Sequence, residues 1–184
     1  QRFLREAACG AQVRHPNIVK YYEAGYAETA GFFYIPMEYV PGTNFAKYLE
    51  KLGRPLTIEE AAQPVYTILD ALAWLHREQI IHRDIKPSNI LVIEKEGEIY
   101  AKLSDFGLAK NYSLAGLSGV TLSNQMVGTP EFVSPEQYQN ARDADPRSDI
   151  YSMGATIYFL LTSAGIYDEE DGAHLLTKIF LQEP

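Results

Sequence analysis

Two short polar segments, His82-Arg83-Asp84-Ile85-Lys86-Pro87-Ser88-Asn89 and Asp105-Phe106-Gly107, constrain this chain more than any other feature. Asp105 follows Asn89 by sixteen residues, with apolar stretches at 90–93 and 99–103 between them. Those stretches look like two short strands around a polar turn at 94–98. Taken alone, the first segment reads as a capped surface loop, because Asp, Ser, Pro and Asn all favour turns. A second acid on a glycine turn at a workable distance argues against that plain reading.

The composition excludes several classes. The 184 residues can bury a core and suggest one domain or a piece of one. A net charge of −8 argues against a nucleic-acid-binding surface, which would be basic. The single Cys9 excludes an internal disulfide and fits a reducing compartment, so a cytoplasmic location is expected. It could equally be the cytoplasmic face of a membrane, if an anchor lies outside this sequence. No secretory signal opens the chain, and the longest apolar run, 153–161, is far short of a membrane span.

Residues 1–14 read as a helix broken near His15-Pro16, followed by strands at 18–24 and 32–39. A turn at Pro41-Gly42 precedes a helix over 45–52 that Gly53 ends. Thr57 and Glu60 form a T-x-x-E capping box for a long helix with Ile58, Ala61, Val65, Ile68, Leu69, Leu72 and Leu75 at helical spacing. Pro64 is placed to kink it. Residues 108–128 read as a long functional loop. Residues 150–161, apolar almost all round, predict a buried helix.

The polar segments carry residue types suited to moving a phosphoryl group, a reaction that is mostly positioning and charge neutralisation. Asp84 suits the acceptor of a hydroxyl proton, Lys86 a phosphate clamp, and Asn89 a neutral oxygen ligand. Asp105 offers the hard, charged oxygen that magnesium prefers. Each has a bland alternative in solvated charge or turn formation, but together they constrain one another.

These motifs resemble the catalytic and metal-binding loops of eukaryotic-type protein kinases. The resemblance extends over nearly the whole chain. Gly128-Thr129-Pro130-Glu131-Phe132-Val133-Ser134-Pro135-Glu136 is similar to that family's substrate-docking loop and the segment closing its activation loop, with Ser134 where alanine is usual. Asp149-Ile150-Tyr151-Ser152-Met153-Gly154 is similar to the start of its buried central helix. His15-Pro16-Asn17-Ile18-Val19 resembles the turn after its regulatory helix. Met37-Glu38-Tyr39-Val40 resembles its gatekeeper and hinge.

The resemblance implies a partial α+β, bilobal kinase-like fold. Residues 1–40 would form the end of the small lobe and 41–184 most of the large lobe. It implies ATP and Mg2+, with Mn2+ as a substitute. Asp84, Lys86, Asn89 and Thr129 would be catalytic, and Asn89 and Asp105 would hold metal. Glu6 would pair with an ATP-binding lysine, and adenine would meet Glu38 and Val40 beside Met37, a residue also suited to core packing. Asp149 would brace the catalytic loop through its backbone, while His82 and Phe106 would be packing residues. Glu136 would pair with an arginine beyond Pro184. Lys86 and Gly128-Thr129 resemble the serine/threonine branch, and Pro135-Glu136-Gln137 resembles its bacterial members. The implied partner is a protein with a Ser or Thr acceptor. Arg83 before the catalytic aspartate implies switching by activation-loop phosphorylation at Thr121 and Ser123, including self-phosphorylation.

No phosphate-cradling glycine loop precedes Glu6, and the implied lysine is absent too. The 184 residues are therefore expected to be the middle of a kinase domain, inactive alone. A pseudokinase or scaffold is the alternative, although every catalytic position present is intact. A small-molecule phosphotransferase is a third reading, and it lacks the docking region from Thr129 to Glu136.

Overall fold

The computed structural model describes residues 13–105, 130–140 and 144–167. Their elements in chain order are β1 (Gly25–Ala27), β2 (Phe32–Tyr34), β3 (Thr43–Asn44), α1 (Phe45–Leu52), α2 (Ile58–Arg77), β4 (Ile90–Lys95), β5 (Glu98–Leu103), α3 (Pro135–Gln139) and α4 (Pro146–Thr162). One antiparallel sheet holds β1 and β2, and the other has the order β3-β4-β5. Short 3-10 turns occupy Pro87–Asn89 and Pro130–Phe132.

Local chemistry sets most of these boundaries. Asn44 caps α1 by accepting from the Lys47 N–H, and Gly53 ends it in a left-handed conformation at φ 71. Thr57 and Glu60 form the expected reciprocal capping box of α2. The Arg54 guanidinium and the Thr57 N–H both hold the Glu60 carboxylate, which drops to about 2. Helix α2 runs unbroken through the buried Pro64. The β4–β5 hairpin closes on Glu96 and Gly97, both at positive φ, between the paired Lys95 and Glu98. Two left-handed residues match the right-handed twist of the flanking strands.

Among the described residues, the main hydrophobic core lies between α2, α4 and the β4–β5 hairpin. It includes Ile68, Leu72 and Leu75 of α2, Ile90 and Leu103 of the hairpin, Met153 and Leu160 of α4, and Ile18 and Val19 from the N-terminal part. The backbone there is tied to β5: the Val19 N–H donates to Leu103 O, and the Leu103 N–H donates to Asn17 O.

Three sequence expectations are corrected. Residues 18–24 form no continuous strand; Ile18 and Tyr21 make isolated bridges to Leu103 and Met37, and the ladder begins at Gly25. The second strand covers only Phe32–Tyr34, because Ile18 and Val19 are spent on β5 and Pro36 offers no N–H. The last helix begins at Pro146 and is not buried all round, since Ile150 and Tyr158 are 55% and 46% exposed. Its inner face instead carries Ser148, Asp149, Ser152 and Thr156. Ser152 and Thr156 donate to the carbonyls of Ser148 and Ser152 one turn back, so their hydroxyls are buried without loss.

Ile58, although in register with the apolar positions of α2, is 72% exposed at the rim of a groove lined by Val65, Leu69, Ile157 and Leu161. Ile68 is 0% exposed. Ile68→Ala is expected to cost about 2–5 kcal/mol and Ile58→Ala well under 1 kcal/mol, read by equilibrium urea unfolding.

Candidate active site

The segment between α2 and β4 is suspended from buried groups rather than from regular structure. Asp149, fully buried in the first turns of α4, accepts from the His82 N–H at 2.9 Å, the Arg83 N–H at 2.8 Å and His76 Nε2 at 2.7 Å. A buried carboxylate survives only when its oxygens are satisfied, and the nearby helix N-terminus favours negative charge. Asp149 thus bonds two consecutive backbone N–H groups of the first polar segment, and His76 shares its carboxylate.

His82 is fully buried. Its Nδ1 accepts from the Asp84 N–H at 3.3 Å, which puts the ring proton on Nε2, where it donates to Ser104 O at 3.0 Å. Burial pulls its pKa below the usual imidazole value, outweighing the nearby carboxylates. His82, expected to be a packing residue, is buried and also joins the first polar segment to the second through Ser104.

Asp84, Lys86 and Asn89 come together. Asn89 Nδ2 donates to both Asp84 O and Asp84 Oδ2 at 2.8 Å, and Lys86 Nζ lies 3.0 Å from the same Oδ2. Pro87 begins the 3-10 turn that folds Asn89 back toward Asp84, its fixed φ suiting that first position. The amide orientation leaves Asn89 Oδ1 as an acceptor, with no donor on it among the described residues. Arg83, immediately before Asp84, holds a left-handed φ of 67, a conformation that costs a side-chain-bearing residue energy and persists only where surroundings impose it.

Asp105 is also left-handed, at φ 56. Its N–H donates to Tyr21 Oη at 2.7 Å, and that hydroxyl donates to Asp105 Oδ1 at 3.3 Å. Burial, then the Asp105 charge, raises Tyr21 far above the usual phenol value and keeps it a donor. The Asp105 residue itself is exposed. Next to it, Ser104 donates through both its N–H and hydroxyl to Asn89 O, tying the two segments a second time. Neutral Asn89 Oδ1 and the Asp105 carboxylate are a donor pair of the kind magnesium takes. Among the described residues no larger metal-binding cluster of His, Cys, Asp and Glu exists.

At the expected hinge, the Glu38 N–H donates to Lys20 O, and Val40 O accepts from Gly42. The Glu38 carbonyl and the Val40 N–H are unused among the described residues. The Glu38 carboxylate pairs with Lys102 of β5. Burial acts to raise its pKa, but Lys102 and the Lys20 N–H outweigh that and lower it. Met37 is 43% exposed, so the core-packing role considered for it is not observed. Its only registered pairing, with Tyr21, holds it at the edge of the sheet region.

Farther along the chain, Glu136 accepts from the Ser148 hydroxyl. Burial acts to raise Glu136, and this bond with its neighbours lowers it. Ser134, fully buried, donates to Gln137 Oε1, and Gln137 Nε2 donates to Arg83 O. Glu6, Phe106, Thr121, Ser123 and Thr129 lie outside the described residues. Tyr21 and His76 were not singled out by sequence, and Gln137 only within the Pro135-Glu136-Gln137 resemblance, with no role assigned. Their partners stand 84, 73 and 54 residues away, and no local pattern encodes such contacts.

The buried neutral His82 gives stability a pH dependence. Its folded pKa lies below the ordinary 6.5, so below pH 6.5 the unfolded chain binds more protons than the folded one. Its contribution is constant above that value and is lost as pH falls beneath it. His82→Gln keeps a donor and an acceptor but cannot titrate. Chemical denaturation between about pH 7.5 and 5.5 should show a smaller loss of stability in His82→Gln than in the wild type.

Comparison with known proteins places the chain in one family. The family described as protein kinase domain matches residues 1–183. The serine/threonine-protein kinase PrkC of Bacillus subtilis is 39% identical over 178 residues, which is 97% of this chain and 26% of that protein. The serine/threonine-protein kinase PknB of Mycobacterium tuberculosis is 40% identical over 163 residues, 88% of this chain and 25% of that protein. The crystal structure of Rad53 1-466 in complex with AMP-PNP matches with a TM-score of 0.73 at 27% identity, over 95% of this chain and 41% of that one. The chain spans about a quarter of the length of these two curated relatives. Its small sheets and helices make a partial kinase-like α+β bilobal fold. Over residues 1–183, the chain belongs to the protein kinase domain family.

Proposed function

We propose that this chain carries the phosphoryl-transfer centre of a protein serine/threonine kinase, which moves the γ-phosphoryl group of ATP to a Ser or Thr hydroxyl on a protein. The observation that carries the reading is the convergence of Asn89 and Lys86 on one oxygen of Asp84, on a loop pinned by Asp149. The relatives named serine/threonine-protein kinases support the same acceptor class.

In this mechanism the acceptor hydroxyl donates its proton to Asp84 as its oxygen forms a bond to the γ-phosphorus. The bond from that phosphorus to the β,γ-bridging oxygen breaks, and ADP leaves. Lys86 transfers its charge from Asp84 to the moving phosphoryl group, which offsets the charge that builds there. Thr129 would sit near Asp84 and Lys86. Asn89 Oδ1 and Asp105 would hold magnesium, which when bound neutralises phosphate charge. Tyr21 keeps Asp105 in its left-handed pose for that role. Adenine would meet the unused Glu38 carbonyl and Val40 N–H, with Met37 beside it, and Glu6 would pair with the ATP-binding lysine.

The test is transfer of radiolabelled phosphate from ATP to a mixed Ser/Thr/Tyr peptide library by full-length protein. Asp84→Asn is expected to lower the rate by about 10²–10⁴-fold. Asp105→Ala should abolish detectable transfer, and label should appear on Ser and Thr only. Equal transfer by all three proteins would sink the mechanism.

Arg83 before Asp84 supports switching by phosphorylation at Thr121 and Ser123, since an arginine can grip an added phosphate. Thr121→Ala with Ser123→Ala should remove phosphate detected by mass spectrometry from this loop and lower activity. Unchanged phosphate and activity would contradict the switch.

A further inference from the structure

Arg83 holds its strained backbone because the two peptide groups around it are gripped from different directions. The peptide before it is fixed through the Arg83 N–H, which Asp149 accepts at 2.8 Å. The peptide after it is fixed at both ends. Its N–H, that of Asp84, donates to His82 Nδ1 at 3.3 Å, and its carbonyl, that of Arg83, accepts from Gln137 Nε2 at 3.0 Å. Gln137 belongs to α3, directly after the Gly128–Glu136 segment that resembles a docking loop, and is only 7% exposed. Its other amide atom is used as well: Oε1 accepts from the hydroxyl of Ser134, a side chain with no exposure.

A neutral amide is the group this place requires. It must donate to a carbonyl at one end and accept from a hydroxyl at the other, which a carboxylate or an apolar side chain of the same length cannot do. The 83–84 peptide carries the Cα of Asp84, so rotation of that peptide moves the carboxylate relative to an acceptor hydroxyl. A displacement of about 1 Å at a reacting group can cost on the order of 100-fold in rate. We propose that Gln137 is a positioning residue, setting the orientation of Asp84 through the Arg83 carbonyl and thereby making proton acceptance depend on the seating of the docking segment. The Arg83 carbonyl, which only accepts, fixes which end of the Gln137 amide faces it, and Ser134, in place of the usual alanine, satisfies the oxygen at the other end.

This inference rests on the kinase reading, and the experiment separates the two. Steady-state phosphoryl transfer by full-length protein is compared for the wild type, Gln137→Met and Gln137→Glu across about pH 6 to 8.5, with thermal midpoints measured in parallel. Gln137→Met keeps length and volume but cannot donate; kcat should fall about tenfold or more at every pH, with KM for ATP within about twofold. Gln137→Glu donates only when protonated, and burial facing a carbonyl raises the pKa of such an acid. Its kcat relative to wild type should therefore climb as pH falls, a signature that loss of packing does not give. His82 and Asp149, which hold the same peptide groups, Asp84, and His76, which bonds Asp149, are common to all three proteins and cancel in the ratio.

Ser134→Ala leaves the Arg83 bond available and should stay within about threefold of wild type with no change of pH profile. A loss as large as that of Gln137→Met would place the effect in the docking segment at large and overturn the proposal. An active wild type with a pH-flat ratio for Gln137→Glu would overturn it alone. An inactive wild type would overturn the kinase reading and this inference together.

Discussion

The structure depends on one buried charge. Asp149 has no exposure to water, and its carboxylate is stabilised by two backbone N–H groups and an imidazole. The dependence is mutual. Without those donors the charge would be too costly to bury, and without the charge the His82 and Arg83 N–H groups would be orphaned inside the protein. The two backbone donors belong to consecutive residues, so the carboxylate fixes a direction of the chain as well as a point. That grip is one of those that hold Arg83 at its left-handed φ. Everything chemical at the site follows downstream of it in sequence: Asp84, then Lys86, then the turn that returns Asn89 to Asp84.

A second layer converts this local frame into a site. His82 reaches Ser104, and Ser104 reaches back to Asn89 twice, so the segments before β4 and after β5 are joined across the hairpin. The hairpin keeps them together because its strands are in register from Ile90 opposite Leu103 to Lys95 opposite Glu98. Burial of His82 in neutral form belongs to this layer. A charged imidazole there would face a desolvation cost that its neighbouring carboxylates do not offset. Positioning at the site is thus purchased with hydrogen-bonded buried groups such as Asp149, His82 and Ser104 rather than with apolar area.

What the sequence made legible was largely local. Gly53 and the Thr57–Glu60 box mark helix ends through bonds spanning a few residues, and the structure has both. The gathering of Asp84, Lys86 and Asn89 was legible for the same reason, because a five-residue span needs only one turn to close. The start of α4 was missed because its capping box is Asp145 with Ser148, and the serine does not advertise itself as Glu or Gln would. Its buried face was missed because hydroxyls that bond their own helix can be buried cheaply, a fact that apolar periodicity does not register. Tyr21, His76 and Gln137 were invisible because their roles exist only after distant parts of the chain meet.

Tyr21 has a consequence for how this machinery can be borrowed. It holds Asp105 by both its N–H and its carboxylate from 84 residues away. The stretch from His82 to Asp105 looks self-contained, a loop and a hairpin that protein engineers would be tempted to transplant. Moved alone, it would carry its acid without the phenol that fixes the acid's backbone, and without the buried carboxylate that fixes its loop. The unit of inheritance for this geometry is the assembled core around the two segments, and a graft that omits Tyr21 and Asp149 takes the residues without their geometry.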